Sequence, residues 1–106
     1  MKMVIITACS TGVAHSRMCS AALKKEAETR GHTVATEMQG GHNLTTQLSR
    51  EVCQDADIIL IAYAIAIDDQ ERFEGKIVIK LPISKAIRNV KAVIDKVEEV
   101  YASNQD

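Results

Sequence analysis

The residues with the clearest capacity for chemistry are the cysteine and the loop in C-S-T-G-V-A-H, residues 9–15, between an apolar run and an amphipathic helix. The thiolate form of cysteine is a nucleophile, and the first backbone N–H groups of a helix have no acceptor within the helix. Together with the helix dipole, those groups stabilise an anion. A helix start lowers the pKa of a thiol from about 8.5 into the range of roughly 3.5 to 7.5. The pattern therefore predicts that Cys9 is partly ionised at neutral pH.

The loop that follows Cys9 has the residue types of a phosphate cradle. Gly12 lets the backbone approach an anion closely, and Ser10, Thr11 and Ser16 can add hydroxyl donors, one of which could also cap the helix. A thiolate placed there can attack phosphorus while backbone N–H groups stabilise the charge on the equatorial oxygens. The expected product is a phosphocysteine.

Each of these residues could also have a purely structural role. Cys9 could be a small apolar residue at the end of a strand, since free cysteines are among the most buried residues. His15 either takes part in phosphate binding or simply begins the helix with its nitrogens in solvent. Cys19 and Cys53 fall inside predicted helices, where we expect core or surface fillers. The three cysteines have no CxxC spacing, so neither a disulfide framework nor a zinc site is indicated, and we expect no metal or cofactor.

The elements that must position Cys9 alternate between strands and helices. The patterns predict strands at residues 3–8, 32–38, 57–62 and 76–81, helices at 16–30 and 45–55, and one or two helices at 84–101, with 63–75 unassigned. Such alternation calls for parallel strands joined by crossover helices. The predicted fold class is α/β, Rossmann/flavodoxin-like, with a four-stranded parallel sheet of order 2-1-3-4 and helices on both faces. Ligands usually bind such a sheet at the carboxyl ends of its strands, where Cys9 lies.

Length and charge narrow the classes of function. The 106 residues suit one domain, 1–106, of which 102–106 are expected to form a flexible tail. Thirteen basic against fourteen acidic residues give no electrostatic reason to expect nucleic acid or an anionic membrane surface as partner. No apolar run reaches the ~18 residues that span a bilayer. We expect a cytoplasmic, monomeric protein without direct membrane insertion.

The motif C-S-T-G-V-A-H-S, residues 9–16, resembles the active-site loop of the fructose-specific IIB components of the bacterial sugar phosphotransferase system (PTS), usually CPTGxAHT. Further matches follow in the same order and cover nearly the whole chain: Met18, E-M-Q-G at 37–40 beside ETQG, Ala56-Asp57, and R-F-E-G-K at 72–76 beside RFxGK. In the loop, Ser10 replaces the usual proline and Ser16 replaces threonine. Neither change removes the nucleophile.

The resemblance implies a phosphotransferase. Cys9 would accept a phosphoryl group from a histidine of the IIA component and pass it to fructose or a similar sugar held by the membrane component IIC. The residues implied to bind the phosphate are Ser10, Thr11, Gly12, Val13, Ala14, His15 and Ser16. Two segments that leave the same edge of the sheet, His42 with Asn43 and residues 65–69, are candidates for a docking rim.

Three other functions compete with this one. A cysteine phosphatase of low molecular weight also places a C-x5-R loop between strand and helix, but His15 stands where the arginine fork is needed, and no Asp-Pro loop supplies a general acid. A non-catalytic, anion-binding module of flavodoxin-like shape lacks nucleotide fingerprints here. A redox switch between Cys9 and Cys19 would require sulfurs that the helix holds too far apart.

Overall fold

The computed structural model describes residues 1–9, 13–39, 48–65, 67 and 70–103, with residues 13–16 described by their backbone alone. Within these residues one parallel sheet of four strands forms in the order β2-β1-β3-β4. Its strands are β1 (Lys2–Ala8), β2 (Thr33–Gln39), β3 (Ile58–Tyr63) and β4 (Val78–Pro82). This confirms the predicted fold class and strand order.

The two central strands are apolar because both of their faces are covered. Every residue of β1 after Lys2 is buried, and β3 is buried up to its last residue, Tyr63. In the register of the sheet, Ala8 lies opposite Gln39 on one side and opposite Tyr63 on the other. The carboxyl ends of three neighbouring strands are therefore level with one another at one edge.

The helices divide unequally between the faces of the sheet. They are α1 (Val13–Thr29), α2 (Arg50–Asp55), α3 (Ile83–Arg88) and α4 (Val90–Ser103), with a 3₁₀ helix at Gln70–Phe73. One core cluster joins β1 and β3 to α1, α3 and α4 through residues that include Ile5, Leu23, Leu60 and Ile94. A second cluster on the opposite face is formed by Val4, Ile6, Ala8, Ile59 and Ile61 with Cys53, Ala56, Ile67 and Phe73.

The helix α1 begins three residues before its predicted start at Ser16 and ends as its glycine predicts. Gly31 has φ +87°, in the left-handed region that favours glycine. The N–H of His32 donates to the carbonyl of Ala27 at 3.1 Å, and the N–H of Gly31 donates to that of Glu28 at 2.9 Å. These two bonds are those of a Schellman motif, which satisfies the last carbonyls of the helix.

The helix predicted at 45–55 is shorter where it is described. Leu48 and Ser49 are not helical, and α2 begins at Arg50 because Ser49 caps it: the Oγ of Ser49 accepts a hydrogen bond from the N–H of Val52 at 3.2 Å. Positions 45–47 lie outside the described residues. The unassigned stretch 63–75 contributes the 3₁₀ helix and the buried side chain of Ile67.

The carboxyl-terminal helical region consists of two helices, separated at Asn89, whose Oδ1 accepts a hydrogen bond from the N–H of Ala92 at 3.2 Å. Ala102 and Ser103, expected in a tail, belong to α4, and positions 104–106 lie outside the described residues. In the described part of the chain no helix is long and apolar enough to cross a membrane.

Candidate functional site

Cys9 is the first residue after β1, and hydrogen bonds from both neighbouring strands fix the chain there. The N–H of Cys9 donates to the carbonyl of Gln39 at the end of β2, at 3.1 Å. The carbonyl of Ala8 accepts from the N–H of Ala64, just past β3, at 2.7 Å. The side chain of Cys9 is half-buried and packs against the core cluster beneath α1. The predicted nucleophile thus lies at the carboxyl edge of the sheet, on a backbone held from both sides.

The amino-terminal turn of α1 lies close to Cys9 in the chain. The helix begins at Val13, four residues after Cys9, so Val13, Ala14, His15 and Ser16 provide its first backbone N–H groups. Those groups have no acceptor within the helix and carry the positive end of its dipole. Ser10, Thr11 and Gly12, the other residues predicted to bind phosphate, lie outside the described residues. The arrangement can therefore offer backbone donors to an anion beside the thiol.

Thr7 lies on the same face of β1 as Cys9 and is fully buried. Among the described residues its Oγ1 has no hydrogen-bond partner. A buried hydroxyl without a partner costs about 1–3 kcal/mol relative to one that is satisfied. Within the described residues, this strand end therefore carries a polar atom without a hydrogen-bond partner two residues before the thiol.

Behind this edge, Glu37 of β2 and Arg72 of the 3₁₀ helix form a buried ion pair. The Nη1 of Arg72 donates to Oε1 of Glu37 at 2.8 Å, and Nη2 donates to Oε2 at 3.1 Å. Gln39 donates through Nε2 to Oε2 of Glu37 at 2.6 Å. The N–H of Leu48 donates to Oε1 at 2.6 Å, while its carbonyl accepts from Nη1 of Arg72 at 2.7 Å. The pair therefore links β2, the 3₁₀ helix and the segment that enters α2.

The charge of Glu37 is stabilised despite its burial. Burial alone would raise the pKa of this carboxyl, but the hydrogen bonds from Arg72, Gln39 and the backbone of Leu48 hold the pKa below its ordinary value. The guanidinium also lies over the ring of Phe73, 5.1 Å from its centroid. Sequence reasoning missed this pair, although an acidic residue inside a predicted strand was a signal that a buried partner exists.

The other two thiols lie in the core. Cys19 and Cys53 have no exposed surface, which confirms them as core residues. Burial raises the pKa of Cys19 to about 11 and also raises the pKa of Cys53. The three cysteines, all within the described parts of the chain, are not joined by disulfides, and Cys9 alone among them is partly exposed.

Two apolar side chains are exposed near the edge that carries Cys9. Met18, in the second turn of α1, is 60% exposed, and Tyr63, at the end of β3, is 37% exposed. Of the predicted docking rim, Ile65 is half-buried, and Ile67 is buried, so its assignment to the rim was wrong. His42, Asn43 and positions 66, 68 and 69 lie outside the described residues. No cluster of three metal-binding side chains occurs in the part of the chain that the structure describes.

Comparison with known proteins supports the resemblance that the motifs carry. Residues 4–96 match the family model described as the lactose/cellobiose-specific IIB subunit of the PTS. The PTS fructose-like EIIB component 2 of Escherichia coli K12 is 36% identical over 97 residues, which are 92% of each chain. The PTS fructose-specific EIIB component of Haloferax volcanii is 33% identical over 94% of this chain and 63% of its own length.

Solved structures give the same result. The solution structure of an enzyme IIB subunit of the PTS from Escherichia coli K12 superposes with a TM-score of 0.88 at 33% identity, covering 99% of this chain and 97% of the other. A domain of the fructose-specific IIABC component from Borrelia burgdorferi gives a TM-score of 0.83 at 35% identity over 90% of each chain. The chain therefore belongs to the PTS IIB family, as a fructose-like EIIB phosphocarrier component.

Proposed function

We propose that Cys9 carries the phosphoryl group, which it accepts from a phosphohistidine of a IIA component and transfers to fructose or a similar sugar bound by a membrane IIC component. The phosphate is held by the loop of Ser10, Thr11 and Gly12 together with the first turn of α1, Val13 to Ser16. The names of the relatives, which are fructose-like and fructose-specific, favour this class of sugar.

One observation supports the proposal most directly. Cys9 is the partly accessible thiol of the chain, and in sequence it lies between the end of β1 and the first N–H groups of α1, which have no acceptor within the helix. Cys19 and Cys53 are enclosed, and burial disfavours their thiolate forms. A donor protein that approaches the carboxyl edge therefore meets one thiol.

In the first transfer, the thiolate sulfur attacks phosphorus, an S–P bond forms and the N–P bond of phosphohistidine breaks. The electron pair of that bond stays on the imidazole nitrogen, which takes a proton as the neutral ring is restored. Backbone N–H groups placed around the phosphoryl oxygens stabilise their charge during the transfer. In the second transfer, a sugar hydroxyl oxygen attacks phosphorus, gives up its proton to a base, and the S–P bond breaks to return the thiolate.

The exposed side chains near the edge suit contacts that form and separate repeatedly. Met18 offers a flexible apolar surface, and Tyr63 offers an aromatic ring with a polar end. Interfaces of such carriers are small and transient. These residues are the proposed contacts for the IIA component, and the same edge must become available to IIC after the donor leaves.

The decisive experiment compares the native chain with Cys9→Ser and with Cys19→Ala as matched control. Each is incubated with labelled phosphoenolpyruvate, the general phosphotransferase proteins and a fructose-type IIA. We expect label on the native chain and on Cys19→Ala, and none on Cys9→Ser. Label retained by the serine variant at another residue would overturn the assignment.

The sugar is tested in membrane vesicles that contain a fructose-type IIC. The labelled native chain should release its phosphoryl group to fructose, with formation of a fructose phosphate and recovery of the free thiol. Vesicles that receive another hexose are the control. Loss of label as inorganic phosphate at the same rate without sugar would favour a phosphatase instead.

A further inference from the structure

A continuous set of hydrogen bonds connects the buried ion pair to the backbone of Cys9. The N–H of Cys9 donates to the carbonyl of Gln39 at 3.1 Å. The side chain of Gln39 in turn donates to Oε2 of Glu37 at 2.6 Å. Glu37 is only 1% exposed and Gln39 only 7%. The residue that receives the Cys9 N–H is thus held through both its backbone and its side chain.

The same ion pair also binds Leu48, the residue that follows positions 40–47. Leu48 is the first described residue after them. Its N–H donates a hydrogen bond to Oε1 of Glu37 at 2.6 Å, and its carbonyl accepts one from Nη1 of Arg72 at 2.7 Å. Both backbone groups of Leu48 are therefore bound to the ion pair. Gln39 and Leu48, which flank positions 40–47, share one anchor.

We propose that Glu37 and Arg72 are positioning residues for the Cys9 nucleophile, because their bonds to Gln39 and Leu48 fix the strand end that receives the Cys9 N–H. The role of the pair in transfer rests on the proposed function of Cys9. Glu37 acts through its bonds to Gln39 and Leu48, and Arg72 acts through Glu37 and the Leu48 carbonyl. No role in binding the sugar is assigned to them.

The physical character of the pair favours positioning over stability alone. Two charges that leave water lose hydration that their attraction only partly restores, so well-packed apolar residues of similar volume are often as stabilising. A bidentate pair adds a fixed direction to each bond. Here the four oxygen contacts of Glu37 all reach groups on β2, Leu48 or Arg72, so the charge specifies the geometry of this edge.

The first test measures the backbone of Cys9 without any phosphoryl transfer. Amide hydrogen exchange is followed by NMR in the native chain, Glu37→Gln and Arg72→Lys. When Gln39 is no longer held by the ion pair, its carbonyl should bind the Cys9 N–H less firmly. Exchange of the Cys9 amide should then be faster by about tenfold or more, relative to the central amides of β1. Arg30→Met is the matched control, because Arg30 also forms ion pairs, here with Glu26, Asp95 and Glu98, but follows the carboxyl end of α1. That control should leave the Cys9 amide protected.

The second test separates positioning from docking by kinetics with phosphorylated IIA. In Glu37→Gln and Arg72→Lys, kcat for acceptance should fall by about 10- to 100-fold, whereas KM should change by less than about threefold. Arg30→Met, measured at a temperature where all variants are folded, should keep both constants. An unchanged kcat together with an unchanged Cys9 amide would overturn the proposal.

A third variant covers the case in which the pair cannot be altered without unfolding the chain. Gln39→Met keeps both members of the ion pair and removes the bond from the Gln39 side chain to Glu37. It should speed exchange of the Cys9 amide, and an unaltered rate would overturn the proposal. If the native chain is never phosphorylated on Cys9, the proposed function fails, while the exchange measurements still decide whether the pair positions this thiol.

Discussion

Arg72 and Glu37 form a two-pronged ion pair inside the fold, with N–O distances of 2.8 and 3.1 Å, although 35 residues separate them in the chain. The pair joins the two segments, E-M-Q-G and R-F-E-G-K, that resemble motifs of the fructose-specific IIB components. Each segment thereby has a physical role, since one supplies the buried carboxylate and the other supplies the guanidinium. Their shared position behind the Cys9 edge makes the pair the first target for mutation.

Glu37→Gln should lower the free energy of unfolding by about 3–5 kcal/mol, because it leaves the charge of Arg72 buried without its partner. Urea denaturation followed by circular dichroism measures this loss. Replacing both residues, as Glu37→Gln with Arg72→Met, should recover part of it, since the unpaired charge is then gone. A double variant less stable than Glu37→Gln by the full effect of Arg72→Met would contradict this explanation.

The contribution of Glu37 to stability should depend on pH in a definite direction. The pKa of this carboxyl is lower in the folded chain than its ordinary value of 4.5. Its contribution is therefore complete above that value and is lost as pH falls through the lower, folded pKa. The stability difference between the native chain and Glu37→Gln should be constant near neutrality and shrink below about pH 4.5. Urea midpoints measured from pH 7 to pH 3 check this, and a difference that grows on acidification would refute it.

Iodoacetamide should modify Cys9 well before the other two thiols. Cys19 and Cys53 are fully enclosed, and burial raises the pKa of both, whereas alkylation requires an accessible thiolate. Peptide mapping by mass spectrometry after short exposure at neutral pH gives the order. In Cys9→Ser the folded chain should stay unmodified until denaturant is added. Equal rates at Cys9 and Cys19 would show that the core opens as readily as the edge.

Thr7→Val should leave the stability unchanged or raise it by up to about 1 kcal/mol, because it replaces a buried hydroxyl without a described partner by a methyl group of similar size. Thr7→Ala is the control, and it should destabilise the chain because it leaves a void. Thermal unfolding of the three proteins provides the comparison. A marked loss of stability in the valine variant would mean that the hydroxyl is bound after all.

Met18→Ala should weaken acceptance from phosphorylated IIA without harming the fold. Met18 is 60% exposed, so its truncation should change stability by less than about 0.5 kcal/mol. The expected effect is a higher KM with little change in kcat, because the lost contact is equally present in the docked complex before transfer and in the transition state. Val52→Ala, which truncates an exposed apolar residue of α2, should leave KM as it is. Equal effects of the two variants would remove Met18 from the docking surface.

The sheet could be predicted from the sequence because its central strands are continuous apolar runs that only a covered parallel sheet accommodates. The end of α1 was equally visible, since Gly31 supplies the left-handed conformation that closes the helix. The start of α1 was predicted too late, at Ser16 instead of Val13. Val13, Ala14 and His15 have no amphipathic pattern that marks a first turn, so the helical periodicity becomes recognisable only from Ser16 onward.

The candidate site was only partly predictable. Cys9 follows from local pattern, because its place between a strand and a helix is fixed by neighbours in the chain. The pairing of Glu37 with Arg72 does not, since the choice of partner depends on the tertiary packing that brings the 3₁₀ helix to Glu37. The short length of α2 likewise depended on which of several polar residues became the cap, and Ser49 took that place.

Because the helices cover the two faces of the sheet unequally, the two faces should differ in how readily they unfold locally. Among the described residues, one face is covered by α1, α3 and α4, of 17, 6 and 14 residues, and the other by α2 and the 3₁₀ helix, of six and four. Short helices unfold locally at lower free-energy cost than long ones, so the face covered by α2 and the 3₁₀ helix should open first. A protease added to the native chain would then cut first near Arg50, while the sheet face packed against α1 and α4 stays folded.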